Sequence, residues 1–170
     1  DRYEQLYLKL YEKKFDDIAL PSLPQADGIG TSAIDYFLNA RDEFNKGNFA
    51  AAVTGIQQYK SVMDYSKLPQ IVNSAKDDKT PDISVVVVTY NRSDDVKKCL
   101  ESLWNQNNTG CSFEVIVVDN GGSSVDSFKQ YITRYVKCPI NFNLSEGRNI
   151  GAHFANGRIL VFLDDDALVG

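Results

Sequence analysis

Apolar residues along this chain repeat with one period before about residue 81 and with another after it. In the first part they recur at spacings of three and four, the pattern of helices that bury one stripe. Tyr3, Leu6, Tyr7, Leu10, Tyr11, Phe15 and Ile18 form the first stripe, and Pro21-Ser22-Leu23-Pro24 stops it. Ser32, with Asp35 three residues on, reads as a variant capping box. It opens a second helix that turns Ile34, Phe37, Leu38 and Phe44 inward. Gly47-Asn48 breaks that helix, and Phe49, Ala52, Val53, Ile56, Tyr59 and Met63 make the returning stripe. Lys76-Asp77-Asp78-Lys79-Thr80-Pro81 is a polar linker. It divides the chain into a helical segment, 1–80, and a second domain, 81–170.

After Pro81, strands and helices alternate. Ile83 to Val88 predicts a buried strand ending in Thr89-Tyr90-Asn91-Arg92, after which Ser93 caps a helix with Asp94 and Asp95 in its first turn. That helix turns Val96, Cys99, Leu100, Leu103 and Trp104 inward. Phe113 to Val118 predicts a second strand ending in Asp119-Asn120-Gly121-Gly122-Ser123. A second helix is expected to bury Val125, Phe128, Ile132 and Tyr135, and Pro139 to Phe142 a short third strand. Asn143 to Asn149 leads into a third helix, which Asn156-Gly157 ends in the left-handed conformation. The five apolar residues Ile159 to Leu163 then read as a buried strand that runs into Asp164-Asp165-Asp166. Three β–α units and a fourth strand predict a parallel, doubly wound α/β sheet with right-handed crossovers. Ligands bind such sheets outside the carboxyl ends of the strands, where all four polar clusters fall.

The acidic triplet is the sharpest chemical signal. On an extended backbone Asp164 and Asp166 point one way and Asp165 the other. Two like charges so close raise one carboxylate's pKa unless a cation sits between them. One reading is a divalent-metal clamp at a strand end. The other is a solvated acidic turn or a helix N-terminus, where Asp is common.

Composition narrows the partners. With 18 basic and 23 acidic residues the net charge is −5, which argues against a nucleic-acid-binding surface. Cys99, Cys111 and Cys138 are odd in number and in no ligand spacing, so buried thiols in a reducing, cytoplasmic compartment are expected. No apolar run approaches the roughly 20 residues of a membrane span, and no signal peptide opens the chain. The N-x-S/T matches at Asn91, Asn107 and Asn143 read as chance, because two lie in loops expected to bind a ligand. Gly28-x-Gly30-x-x-Ala33 matches a dinucleotide fingerprint, but a proline-rich loop precedes it where a strand is required.

Two resemblances add to this reading. Phe44 to Val53 resembles the turn of a tetratricopeptide repeat, with Gly47 in the turn, Phe49 across it and Ala52 at the close approach. One unit is visible where a solenoid needs about three. The expectation is therefore a helical hairpin packed on the next domain, with a partner-binding module as the alternative. Residues 82–167 resemble the nucleotide-binding half of family-two glycosyltransferases of the GT-A fold. The resemblance rests on Val85–Val88 with Thr89-Tyr90-Asn91-Arg92, the strand ending in Asp119, Gly147-Arg148-Asn149-Ile150-Gly151, and Asp164-x-Asp166.

This resemblance implies a Rossmann-like domain that binds a nucleoside-diphosphate sugar, with Thr89, Tyr90, Asn91 and Arg92 cradling base and ribose. It gives Asp119 the base imide N–H and places Arg148 near the diphosphate. Asp164, Asp165 and Asp166 would contact ribose and hold Mn²⁺ or Mg²⁺, with Asp164 and Asp166 as metal ligands. Where the family often has a second acid after strand two, this chain has Asn120-Gly121-Gly122. The family's second half, which carries the acceptor site and catalytic base, has no counterpart before Gly170. His153 is read as a core or surface residue. The expectation is the donor-binding portion of an inverting, metal-dependent glycosyltransferase of polysaccharide biosynthesis. It would use a donor that is UDP-linked and an acceptor hydroxyl on a glycan, be inactive alone, and be peripheral at a membrane when full-length. A sheet stopped after its fourth strand would also leave Leu163, Ala167, Leu168 and Val169 uncovered and prone to self-association. The alternatives are a nucleotidyltransferase-like enzyme, or a non-catalytic interaction module with a degenerate nucleotide site.

Overall fold

The computed structural model describes residues 33–73, 80–106, 110–122 and 128–170. The first helical stripe, the Ser32 cap, the fingerprint-like glycines, the polar linker up to Lys79 and Val125 lie outside the described residues. The chain divides into two compact units, Asp1–Met63 and Asp64–Gly170.

In the first unit, α1 (Ala33–Asn45) and α2 (Phe49–Val62) form an antiparallel pair joined at Gly47, whose φ of 81° needs a residue without a Cβ. Phe37 and Tyr59 are buried edge to face at 5.3 Å. Ala40 faces Gly55, where an added Cβ would lie 2.8 Å from the Ala40 methyl. Phe44, expected inward, is exposed and rests on Phe49 across the turn, ring centroids 5.4 Å apart.

The second unit is a five-stranded, mostly parallel sheet of order β1-β4-β3-β2-β5, formed by β1 (Gln70–Val72), β2 (Ile83–Thr89), β3 (Phe113–Asp119), β4 (Arg134–Lys137) and β5 (Ile159–Asp164). Only β1 runs antiparallel, against β4. One face packs on α3 (Ser93–Trp104), with Val85, Val87, Val115 and Val117 against Val96, Leu100, Phe128, Ile132 and Tyr135. The other face packs on α4 (Asn143–His153), so the sheet is doubly wound.

Several expectations are corrected here. Residues 64–73 are not helical linker: a 3₁₀ turn at Tyr65–Lys67 leads into β1, making five strands rather than four. The periodic residues after β3 do not make a helix. Lys129–Tyr131 is a 3₁₀ turn and Arg134–Lys137 is strand, so Tyr135 is buried from β4, while Pro139–Phe142 is not strand. Spacings of three and four put Phe128, Ile132 and Tyr135 in one core either way, which is why period alone misled. Arg92, not Ser93, occupies the N-cap of α3, without a side-chain cap. Gly157 is absent from the positive-φ residues, and what it needs is space, since a Cβ there would lie 2.5 Å from the Ser84 nitrogen. β5 is not buried but an edge strand, with Ile159, Leu160, Val161 and Phe162 all exposed. An apolar run is also compatible with an edge that has a neighbour on one side only. Cys111 is exposed, whereas Cys99 and Cys138 are buried, their thiols pushed by burial up to about 11 and about 12. No helix among the described residues is long and apolar enough to cross a membrane.

Buried polar contacts lock both ends of the fold. Glu114 accepts from Ser84 Oγ at 2.5 Å and from the Asn156 N–H at 2.6 Å, and Gly157 N–H donates to Ser84 Oγ at 2.7 Å. The loop before β5 is thereby tied to β2 and β3. Tyr65 OH donates to the buried Glu146 at 2.5 Å, and its ring lies 5.4 Å from that of His153, which fastens the 64–73 segment to α4.

α4 sits on the sheet through two glycines. A Cβ on Gly147 would lie 2.6 Å from Val88 Cγ1, and one on Gly151 would overlap Val86 Cγ1. Replacing glycine by alanine favours a helix by about 1 kcal/mol, but overpacking against a stiff valine costs about 1–3 kcal/mol. Gly151→Ala should therefore destabilise the second unit by about 1–2 kcal/mol in urea titrations. An unchanged or raised midpoint would show that helix and sheet are not in hard contact there.

Candidate functional site

The strand register brings the polar clusters to one rim. β2 pairs with β3 so that Thr89 lies opposite Asp119, and with β5 so that Val88 lies opposite Asp164. Thr89, Asp119 and Asp164 thus end three adjacent parallel strands. Asn91 has a φ of 57°, in the left-handed region that Asn tolerates better than most residues. Its loop runs against Gly122, where an added Cβ would lie 2.8 Å from the Asn91 nitrogen and 2.9 Å from Asp119 Oδ1. Tyr90 beside it is exposed.

The alternation expected across the acidic triplet stops where the strand stops. β5 ends at Asp164, and Asp165 and Asp166 lie in a turn closed by Ala167 N–H to Asp164 C=O at 3.0 Å. The carboxylates divide between two arginines. Arg148 Nη2 meets Asp164 Oδ1 at 2.8 Å, with its guanidinium 5.7 Å from the Phe162 ring centroid. Arg92 meets Asp165 Oδ1 at 3.2 Å, Asp166 Oδ2 at 3.1 Å and Asp95 Oδ2 at 3.1 Å. Arg92, expected at base or ribose, is turned to the acids instead, and Asp165 and Asp166 share it. A turn, unlike an extended chain, does not separate successive side chains onto opposite faces.

Asp165 is buried, and burial pushes its carboxyl above the ordinary carboxylate range despite the neighbouring Arg92. Thr89 Oγ1 is buried without a well-formed hydrogen bond, yet lies close enough to Asp165 to favour its charged form.

Asp119 is buried and already in use. Oδ1 accepts the Gly122 N–H at 2.6 Å, Oδ2 accepts Tyr135 OH at 2.6 Å, and Lys137 Nζ lies 3.7 Å from Oδ2. Asn120, whose place the resemblance gives to a second acid, is a structural pin. Its amide donates to Asn141 Oδ1 at 3.1 Å and to the Asn143 carbonyl at 3.0 Å, and its Oδ1 accepts the Phe142 N–H at 2.9 Å. These bonds set the entry to α4, where Arg148 stands. Asn120, Tyr135, Lys137 and Glu146 were missed in the sequence because their partners are distant in the chain. Only the run Asn120-Gly121-Gly122 hinted at a tight polar turn. A cleft of about 520 Å³ opens beside Asp119, lined by Lys67, Leu68, Pro69, Gly121, Gly122, Lys137, Cys138 and Pro139.

Among the described residues no three acidic, histidine or cysteine side chains converge as ligands. Asp164 and Asp166 still suit a hard cation. Their side chains are 64% and 56% exposed, and each has one oxygen on an arginine and the other without a partner among the described residues. Mg²⁺-like ions take one or two carboxylates and complete their shell with phosphate and water.

The position of Asp165 gives a pH signature. A carboxyl whose folded pKa is raised adds stability below the ordinary value of 3.8, and this is lost as pH rises through the folded value. Near pH 7 the charged group therefore costs the fold. Asp165→Asn should raise the Tm relative to wild type at about pH 7, with the difference shrinking toward about pH 3. A variant less stable at neutral pH would show that the ion pair outweighs the burial.

Comparison with known proteins agrees with this arrangement. Residues 84–169 match the profile of glycosyl transferase family 2. An uncharacterized glycosyltransferase of Haemophilus influenzae is 37% identical over 87 residues, covering 49% of this chain and 29% of the relative. Glycosyltransferase AglE of Haloferax volcanii is 32% identical over 93 residues, covering 51% of this chain and 31% of the relative. The chain thus spans about a third of the length of these curated relatives. Among solved structures, S. aureus TarS 1-349 aligns with a TM-score of 0.42 and 27% identity over 49% of this chain and 27% of that one. The family profile covers just over half of the chain and takes in the three polar strand ends and the start of α4, so this chain belongs to glycosyl transferase family 2.

Proposed function

We propose that this chain is the donor-binding portion of a metal-dependent, inverting glycosyltransferase that takes a nucleoside-diphosphate sugar, UDP-linked, for transfer to an acceptor hydroxyl. The observation that carries the reading is the rim where Thr89, Asp119 and Asp164 end neighbouring strands, flanked by Arg92 and Arg148. Family membership supports it, and the activity belongs to the larger protein of which the relatives are examples.

Asp164 and Asp166 are the residues that would hold Mn²⁺ or Mg²⁺, which when bound supplies Lewis-acid neutralisation of the departing diphosphate. Arg148, already beside Asp164, adds a counter-charge for the same developing negative charge. Asp119 accepts two hydrogen bonds as it stands, and a carboxylate with about four lone-pair sites can take one more from a base imide N–H. Thr89, Tyr90 and Asn91 border that position on the β2 side and make the wall for base and ribose. Self-association through the exposed β5 edge belongs to the same proposal.

Titration of UDP and GDP into the protein with Mn²⁺, and again with EDTA, tests the reading. Asp166→Ala should abolish the Mn²⁺-dependent part of UDP binding, with the thermal melt within a few degrees of wild type. Asp166 is exposed and on a turn, so its loss leaves the core untouched. Equal UDP affinity with and without Mn²⁺ in the wild type would remove the metal from the proposal.

A further inference from the structure

Arg92 spends its guanidinium on carboxylates. Nε is held by Asp95 in the first turn of α3, and the two terminal nitrogens reach Asp165 and Asp166 in the turn after β5. One planar fork therefore spans from the end of β2 to the end of β5, strands paired as neighbours with Val88 opposite Asp164. We propose that Arg92 is a positioning residue for the divalent cation: it fixes the Asp164–Ala167 turn so that Asp164 and Asp166 present their remaining oxygens to one ion. This inference rests on the donor-site reading above.

The physical need is plain. Three consecutive carboxylates in a short turn repel one another. Among the described residues the backbone there is held by one turn-closing bond, Ala167 N–H to Asp164 C=O, and by a Cys99 Sγ–H hydrogen bond to the same carbonyl at 3.5 Å. Arg148 constrains Asp164 alone. Without Arg92, no cation among the described residues is placed on Asp165 or Asp166. The guanidinium holds these two at a fixed separation because its donors are rigidly coplanar. A lysine ammonium carries the same charge on a flexible stem without that geometry. Asp95 completes the device by fixing the fork from the opposite side. Side chains that orient metal ligands without touching the metal commonly change metal affinity by about 10- to 100-fold when removed.

Charge alone would act in the opposite direction. A guanidinium beside the ligands repels an incoming cation, so deleting it should tighten metal binding if electrostatics were its whole role. The sign of the effect therefore separates the two. Mn²⁺ binding to the full chain, followed by the electron paramagnetic resonance signal of free Mn²⁺, should weaken about 10- to 100-fold in both Arg92→Gln and Arg92→Lys. In metal-free protein the Ala167 amide should exchange faster in both variants, while amides of Val86 and Val117 in the core strands keep their protection. Should either variant lose that core protection, Asp95→Ala removes only the acceptor of Nε and should shift Mn²⁺ affinity and Ala167 exchange the same way by a smaller factor.

Tighter or equal Mn²⁺ binding in Arg92→Gln would overturn the positioning role, as would wild-type behaviour in Arg92→Lys or unchanged Ala167 exchange. If the wild type binds Mn²⁺ and the variants match it, only this inference fails. If the wild type takes up no Mn²⁺ with or without UDP, the metal role in the donor-site reading fails with it.

Discussion

Three consecutive carboxylates, one ending an edge strand and two in the turn after it, repel one another unless positive charge is brought to them from elsewhere in the chain. Here that charge comes from two places far apart in sequence, Arg92 before α3 and Arg148 within α4. Each arginine depends on the packing of its own element. Arg92 is placed by β2 and the first turn of α3, where Asp95 holds its Nε. Arg148 reaches Asp164 because Gly147 and Gly151 let α4 lie against Val88 and Val86 without intervening side chains. Core packing on both faces of the sheet thus fixes the electrostatics of the rim.

The opposite ends of the strands are held by a different device. Glu114, buried in β3, gathers Ser84 of β2 and Asn156 of the loop before β5. A buried carboxylate is tolerated only when its oxygens are met by donors, and these donors come from the segments that must be aligned. With the amino ends fixed in this way, the register carries to the carboxyl ends, where Thr89 faces Asp119 and Val88 faces Asp164. The segment from Tyr65 to Val72 extends the sheet by one antiparallel strand, and Tyr65 anchors it to Glu146 on α4. This segment precedes the family-matched region, 84–169, and forms one wall of the cleft beside Asp119. Asp119 therefore has the family-matched strands on one side and the 64–73 segment, across the cleft, on the other.

The sequence by itself determined the elements whose pattern is local. The runs Val85–Val88 and Val115–Val118, the stripe of α3 from Val96 to Leu103 (Trp104, expected inward, is exposed) and the turn at Gly47 could be read because strand burial, helix period and positive φ each need specific residues at short range. The polar residues at the strand ends were legible for the same reason, since a charge that follows an apolar strand must emerge at the rim. Whatever depended on a partner distant in the chain was decided only by the tertiary structure. Tyr135 lies in a strand rather than a helix because β4 pairs with β3 on one side and with β1 on the other, Tyr135 standing between Val117 and Ile71. Ile159 to Phe162 are exposed because β5 pairs with β2 on one side only, which no count of apolar residues reveals. Arg92 faces Asp165 and Asp166 because the strand ends at Asp164 and the turn draws the two acids together, and 73 residues separate the arginine from the first of them. Residue types and short-range order set which chemistry is available at the rim, and long-range packing sets which charge meets which.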